Sequence, residues 1–178
     1  MKNLFVLTFF TLALLGTEAT AQKFSGLDKS PADIASFPPS YKEANKAVRV
    51  IYSRPQLKGR DMGTLAPEGK VWRTGANEAT EITFYKDASF GGQSVKAGTY
   101  ALFTIPGENE WTLILNGNLN QWGAYTYDKA ADVVRVTSKT SQGGEALEAF
   151  SIAFKEVDGG AHLVMGWGTT RVETPVMF

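Results

Sequence analysis

The sequence predicts an all-β fold: an antiparallel β-sandwich or jelly-roll-like barrel of about nine to ten strands, preceded by a short leader with one helical turn. Three observations carry that expectation. Short runs place apolar residues at every second position. Turn-forming Gly, Pro, Asn and Asp separate them. No stretch shows the apolar period of a long amphipathic helix. Several runs are apolar on both faces, as suits strands packed on a second layer and partly covered outside.

Taken in order, residues 1–21 read as a targeting segment. Lys2 supplies a positive start, residues 4–15 are apolar apart from threonines, and Ala19-Thr20-Ala21 is the small-x-small pattern of a signal-peptidase site. The apolar run falls short of the ~20 residues that span a bilayer. Cleavage is expected after Ala21, which places the product in the periplasm or outside the cell. Residues 22–45 read as a leader. Ser30-Pro31-Ala32-Asp33 looks like a helix start, with serine as N-cap and proline at the first helical position, and Pro38-Pro39 stops it within a turn.

The β domain is expected over residues 46–178. Residues 47–53 put Val48, Val50 and Tyr52 on one face, and residues 81–86 do the same with Ile82 and Phe84. Residues 98–105 and 111–116 are apolar on both faces, and residues 132–138 carry Val134 and Val136 in step. Phe150, Ile152 and Phe154 share a face in the next run, and Leu163, Met165 and Trp167 in the one after. Residues 171–178 could close the sheet, with weaker runs at 70–73 and 90–95. The separators are Pro106-Gly107-Glu108-Asn109, Asn116-Gly117-Asn118, Gln142-Gly143-Gly144 and Asp158-Gly159-Gly160. Asp158-Gly159 is the clearest hairpin signal.

Composition narrows the chemistry. The chain has 178 residues, with 18 Lys and Arg, 18 Asp and Glu, one His and no Cys. Without cysteine there are no disulfides, thiolate metal sites or cysteine nucleophiles. A single histidine, His162, leaves no multi-histidine metal site, so no metal or cofactor is expected. Zero net charge gives no global field toward nucleic acid or an anionic membrane. A domain of roughly 150 residues buries about 70% of its unfolded surface, enough for a core of its own.

Candidate chemistry concentrates between Tyr52 and Thr80. Arg54, Lys58 and Arg60 follow one strand, and Val71-Trp72-Arg73-Thr74-Gly75-Ala76-Asn77-Glu78-Ala79-Thr80 mixes an aromatic, a guanidinium, an amide, a carboxylate and hydroxyls around a glycine. Guanidinium forks fit anionic groups, Asn and Glu fit hydroxyls or an amine, and small residues let backbones pass closely. The same side chains could equally pin loops through ion pairs or fill the core. Residues 118–128 add Trp122, Tyr125 and Tyr127 among Asn and Gln, a composition similar to sugar-stacking surfaces and also to a loop anchored by buried aromatics. Arg54, Arg60, Trp72, Arg73, Asn77 and Glu78, walled by Trp122 and Tyr127, are therefore the candidate ligand-binding residues. His162 falls out of step with its strand and has no evident nucleophile to serve. Ser53 and Ser151 lack a nucleophile-elbow context. Glu78, Glu110 and Asp128 flank the aromatics, so paired-carboxylate glycan hydrolysis stays open. No phosphate-binding glycine loop or EF-hand loop is present.

The motifs form a recognisable set: Tyr52-Ser53-Arg54-Pro55 with Lys58-Gly59-Arg60, the run from Val71 to Thr80, Ala97-Gly98-Thr99-Tyr100 leading to Ile105-Pro106, Glu110-Trp111-Thr112, and Gln121-Trp122-Gly123. The set resembles the family known as domain of unknown function 2911, exported proteins mostly of Bacteroidetes, and extends over essentially the whole chain after the targeting segment. The resemblance implies an exported domain with no established activity and no catalytic residues to carry over. The sequence reading is thus a non-catalytic module binding a small polar or anionic, carbohydrate-like ligand in a loop-built pocket. Its alternatives are a glycan-acting hydrolase and an envelope structural or interaction domain without a small-molecule site.

Overall fold

The computed structural model describes residues 22–178, so the targeting segment expected over 1–21 lies outside it. Nine strands account for the architecture: β1 (Ala32–Phe37), β2 (Val48–Ser53), β3 (Thr80–Phe84), β4 (Ala88–Phe90), β5 (Gln93–Val95), β6 (Gly98–Ile105), β7 (Glu110–Asn116), β8 (Asp132–Val157) and β9 (Gly160–Met177). They pair antiparallel in the order β1-β2-β3-β6-β7-β8-β9-β4-β5, without closing. The helical content described is a four-residue piece, Met62–Leu65, capped by Asp61, and a three-residue turn, Lys129–Ala131.

The all-β antiparallel expectation holds, and the departures have local causes. Residues 32–37, expected as a leader with a helical turn, form the edge strand β1, with Ile34 opposite Ile51 and Ser36 opposite Arg49. Pro31 is tolerated there because it precedes the strand and an edge needs no donor on its free side. The run expected at 90–95 splits into β4 and β5 around Gly91-Gly92, whose φ values of 56° and 87° suit a tight hairpin. The expected strand at 70–73 reduces to a single bridge between Trp72 and Thr104.

The largest departure is in β8 and β9. Gln142-Gly143-Gly144 reads as a turn in sequence but lies inside β8, where the register against β9 slips twice between Gln142 and Ser151. A Cβ on Gly143 would come within 2.6 Å of the Arg171 guanidinium carbon. That guanidinium donates to the carbonyls of Gly168, Thr170 and Glu145 across the slip. The glycines bend the strand instead of ending it, as bulges do. The first part of β8 pairs with β7 and the rest with β9, so one strand serves both layers of a sandwich-like arrangement.

One core joins the layers. Val48, Val50, Tyr52, Ile82, Phe84, Trp111 and Leu113 contribute from one side, and Phe90, Phe150, Leu163, Met165 and Trp167 from the other. At its centre Trp72 stacks on Trp167 with centroids 5.6 Å apart and meets Trp111 and Phe150 edge-on at 6.0 and 5.0 Å. A smaller cluster of Ala79, Ala101, Phe103 and Ile114 lies on the opposite face of β6 and β7, packed by Ala124 and Tyr127 of the segment between β7 and β8. This second cover explains why both faces of those strands are apolar.

Candidate functional site

The segment after Trp72 leaves the core and returns to start β3. Arg73 O accepts from Thr80 N, so residues 74–79 form a compact excursion closed at its base. Thr74 and Asn77 hold φ of 55° and 60°, the left-handed region in which asparagine is enriched. Gly75 is required by close approach: a Cβ there would sit 2.9 Å from the Ser53 carbonyl oxygen. The excursion therefore packs down on the end of β2.

It is joined there by the segment linking β7 to β8. Ala79 N donates to Gln121 O and Gly123 N donates to Asn77 O. The pair between those bonds is Glu78 and Trp122, a non-hydrogen-bonded antiparallel pair of the kind in which side chains approach most closely. Trp122 is 61% exposed. Its segment is well braced. Asn116 Nδ2 donates to Asp128 O and Asp132 Oδ1, both at 2.8 Å, and Gln121 bonds Asn118 O and Thr126 Oγ1. Asn120 N donates to Glu81 Oε1 at 3.1 Å, which ties the segment to β3.

Beside this junction lies a groove of about 240 Å³ lined by Ile51, Ser53, Glu78, Ala79, Glu81 and Asn120, with Ala32 at the edge strand. Two carboxylates, a hydroxyl and an amide thus face a small apolar floor. Such a surface can accept hydrogen bonds from hydroxyl or ammonium groups.

The eight residues singled out by sequence do not all meet here. Arg73, Asn77, Glu78 and Trp122 belong to the two joined segments. Burial holds the Arg73 guanidinium below its ordinary pKa, with neighbouring Tyr125 acting the other way, and its Nε is buried without a hydrogen-bond partner. Asn77 also helps hold the carboxyl of Asp28 below its ordinary value, after the larger effect of the Ser30 backbone N–H. Arg54 directly follows Ser53 at the end of β2, but its side chain is taken up by β1 and β8. It donates to Asp33 Oδ2 at 3.1 Å, Phe150 O at 3.1 Å and Ser151 Oγ at 2.7 Å. Arg60 donates to the carbonyls of Leu57 and Gln56, closing its own loop. Trp72 is 4% exposed and is surrounded by core rings. Tyr127 packs on Phe103, donates to Asp132 Oδ2 at 2.7 Å and accepts from Arg135 Nη1 at 2.9 Å.

Glu81, Asn120, Ser53 and Ile51, which line the groove, are not among the candidate binding residues that the sequence points to. Glu81 and Ile51 are register partners on the outer face of β2 and β3, but their alternation marked them only as solvent-side positions. His162, on β9, bonds Glu173 Oε2 at 3.1 Å, and this contact is the main cause holding the Glu173 carboxyl below its usual range. Among the described residues no group of three or more His, Asp or Glu is placed to hold a metal, and no helix is long and apolar enough to cross a membrane.

Residues 30–176 match the family described as "Protein of unknown function (DUF2911)". No curated protein and no solved structure matches the chain.

Proposed function

Because the chain belongs to the DUF2911 family of proteins of unknown function, which passes on no reaction, its own geometry must supply the reading: we propose that it is an exported, non-catalytic domain that binds a small polyhydroxylated, carbohydrate-like ligand. Export rests on the targeting pattern of residues 1–21. That reading makes residues 22–178 the mature chain, folded as one domain. The observation that carries the binding role is the convergence of Glu78, Glu81, Ser53 and Asn120 on one groove beside the exposed ring of Trp122. Carboxylate oxygens accept from sugar hydroxyls, and an indole face stacks on a pyranose ring.

Two features refine the ligand. Arg54 and Arg60 are engaged within the protein, and the groove presents two carboxylates. A neutral ligand is favoured over an anionic one. The braced Trp122 segment supports binding without much ordering cost.

Thermal denaturation in the presence of neutral mono- and disaccharides tests the reading. A sugar at 100 times its dissociation constant adds about 2.7 kcal/mol, and that shift should vanish in Trp122→Ala and in Glu78→Gln. A panel that leaves wild type unshifted, or a shift that survives both substitutions, refutes it. The shared placement of Glu78 and Glu81 also supports a second reading, hydrolysis of a glycosidic bond by paired carboxylates. Reducing-end release by wild type, lost in Glu78→Gln, would replace binding by catalysis.

A further inference from the structure

The outer face of β1, β2 and β3 holds a second concavity. It is the larger of the two, about 700 Å³, and lies over the start of β2, lined by Ile34, Tyr41, Glu43, Lys46, Arg49 and Tyr85 among others. Arg49 and Ile51, which lines the first groove, are two residues apart on this face of β2, about 7 Å, so the two grooves adjoin without sharing a lining residue.

Arg49 lines this groove from β2. Its cross-strand neighbours are Ser36 on β1 and Thr83 on β3. The Thr83 hydroxyl is already paired with Thr99 Oγ1 at 2.9 Å. Arg49 Nε is buried with no hydrogen-bond partner, and among the described residues the guanidinium forms neither a hydrogen bond nor an ion pair. A buried donor left without a partner is costly, so a ligand that satisfies the guanidinium is favoured there. The other two arginines that leave or extend β2 behave differently: Arg54 and Arg60 are satisfied within the protein.

The rim is held by bonds within the loop between β1 and β2. Lys46 Nζ donates to the carbonyls of Pro38 and Ser40, both at 2.7 Å, which fixes the loop between β1 and β2 at the groove's edge. Glu43 Oε1 accepts from Asn45 N at 2.7 Å within the same loop. Ile34 and Tyr85 are large apolar side chains about half exposed, at 53% and 52%, and Tyr41 is more exposed still.

We propose that this groove is a distinct binding site for a small organic carboxylate whose ring or hydrocarbon body packs on Ile34 and Tyr85. A planar guanidinium fork matches a carboxylate in bidentate fashion. One available guanidinium, with Glu43 on the rim, suits a singly charged group over a phosphate dianion. The site does not depend on the sugar-binding reading of the first groove, and its residues do not overlap with Glu78 or Trp122.

The test titrates the purified protein with two charged probes and their uncharged counterparts, benzoate against benzamide and glucuronate against glucose. Backbone amide shifts locate the binding. At least one carboxylate should bind tenfold or more tightly than its counterpart and shift amides of Ile34, Arg49 and Tyr85. Arg49→Gln should weaken it at least tenfold, Arg49→Lys by less, and Trp122→Ala by no more than twofold. Binding of neither carboxylate, equal binding of charged and uncharged probes, or an unchanged affinity in Arg49→Gln overturns the proposal. Should Arg49→Gln fail to fold, Tyr85→Ala serves in its place. A several-fold weakening is then expected, and unchanged affinity counts against the site.

Discussion

Replacing Trp72 by alanine separates a core role from a binding role for the one aromatic residue of the motif at residues 71–80. Trp72 is 4% exposed and touches three other aromatic rings, two edge-on and one stacked at 5.6 Å. An aromatic side chain buries about 150–250 Å². At about 25 cal/mol per Å² that is roughly 4–6 kcal/mol as an upper bound. Core Phe or Trp to Ala changes cost about 3–5 kcal/mol. The upper part of that range is expected here, because Trp72 contacts Trp111 on β7, Phe150 on β8 and Trp167 on β9, so its removal empties space shared by rings of three strands. At about 2–4 °C per kcal/mol for a domain of this size, the midpoint should fall by about 8–20 °C. Urea denaturation followed by far-ultraviolet circular dichroism avoids the change in indole fluorescence. Trp122→Ala is the control: its ring is 61% exposed, and stability should stay within about 0.5 kcal/mol of wild type. A Trp72→Ala cost below about 1 kcal/mol, or a Trp122→Ala cost above about 2 kcal/mol, would refute the assignment of the two rings.

Two further outcomes follow from the residues that tie distant segments together. Arg54→Met removes three donors, to Asp33, Phe150 and Ser151, and should cost about 1–3 kcal/mol in urea denaturation. The lower end is expected because the side chain remains 35% exposed; no loss would mean those bonds add nothing. Burial first, and Asp132 next, push the Tyr127 phenol from 10.0 up to about 12. A folded pKa above the unfolded one stabilises the fold below pH 10, and that contribution fades as pH rises from 10 to 12. Tyr127→Phe should flatten the alkaline decline across that window, and an equally steep decline in the variant would contradict it.

The strands were legible because their signal is local. Val48, Val50 and Tyr52, or Ile82 and Phe84, alternate over a few residues and bury one face whatever lies beside them. The apolar run at 98–105 predicts β6 over the span it occupies. Turn glycines misled where context decides their meaning. Gly143 and Gly144 read as a stop, yet Arg171, more than twenty residues later, holds them in a bend within one continuous strand. Likewise Ser30-Pro31 reads as a helix start, but pairing with β2 draws residues 32–37 into the sheet.

What the sequence determined by itself was the all-β class, the family, and the two polar segments that hold Asn77, Glu78 and Trp122. Only the tertiary structure decided which arginines stay free, because their partners come from far along the chain: Arg54 meets Asp33 on one side and Ser151 on the other. It also decided that Glu78 and Trp122 stand side by side. Alternation is a property of one strand, whereas the sharing of a groove depends on which strands pair and in what register. Nothing in a single stretch of residues encodes that.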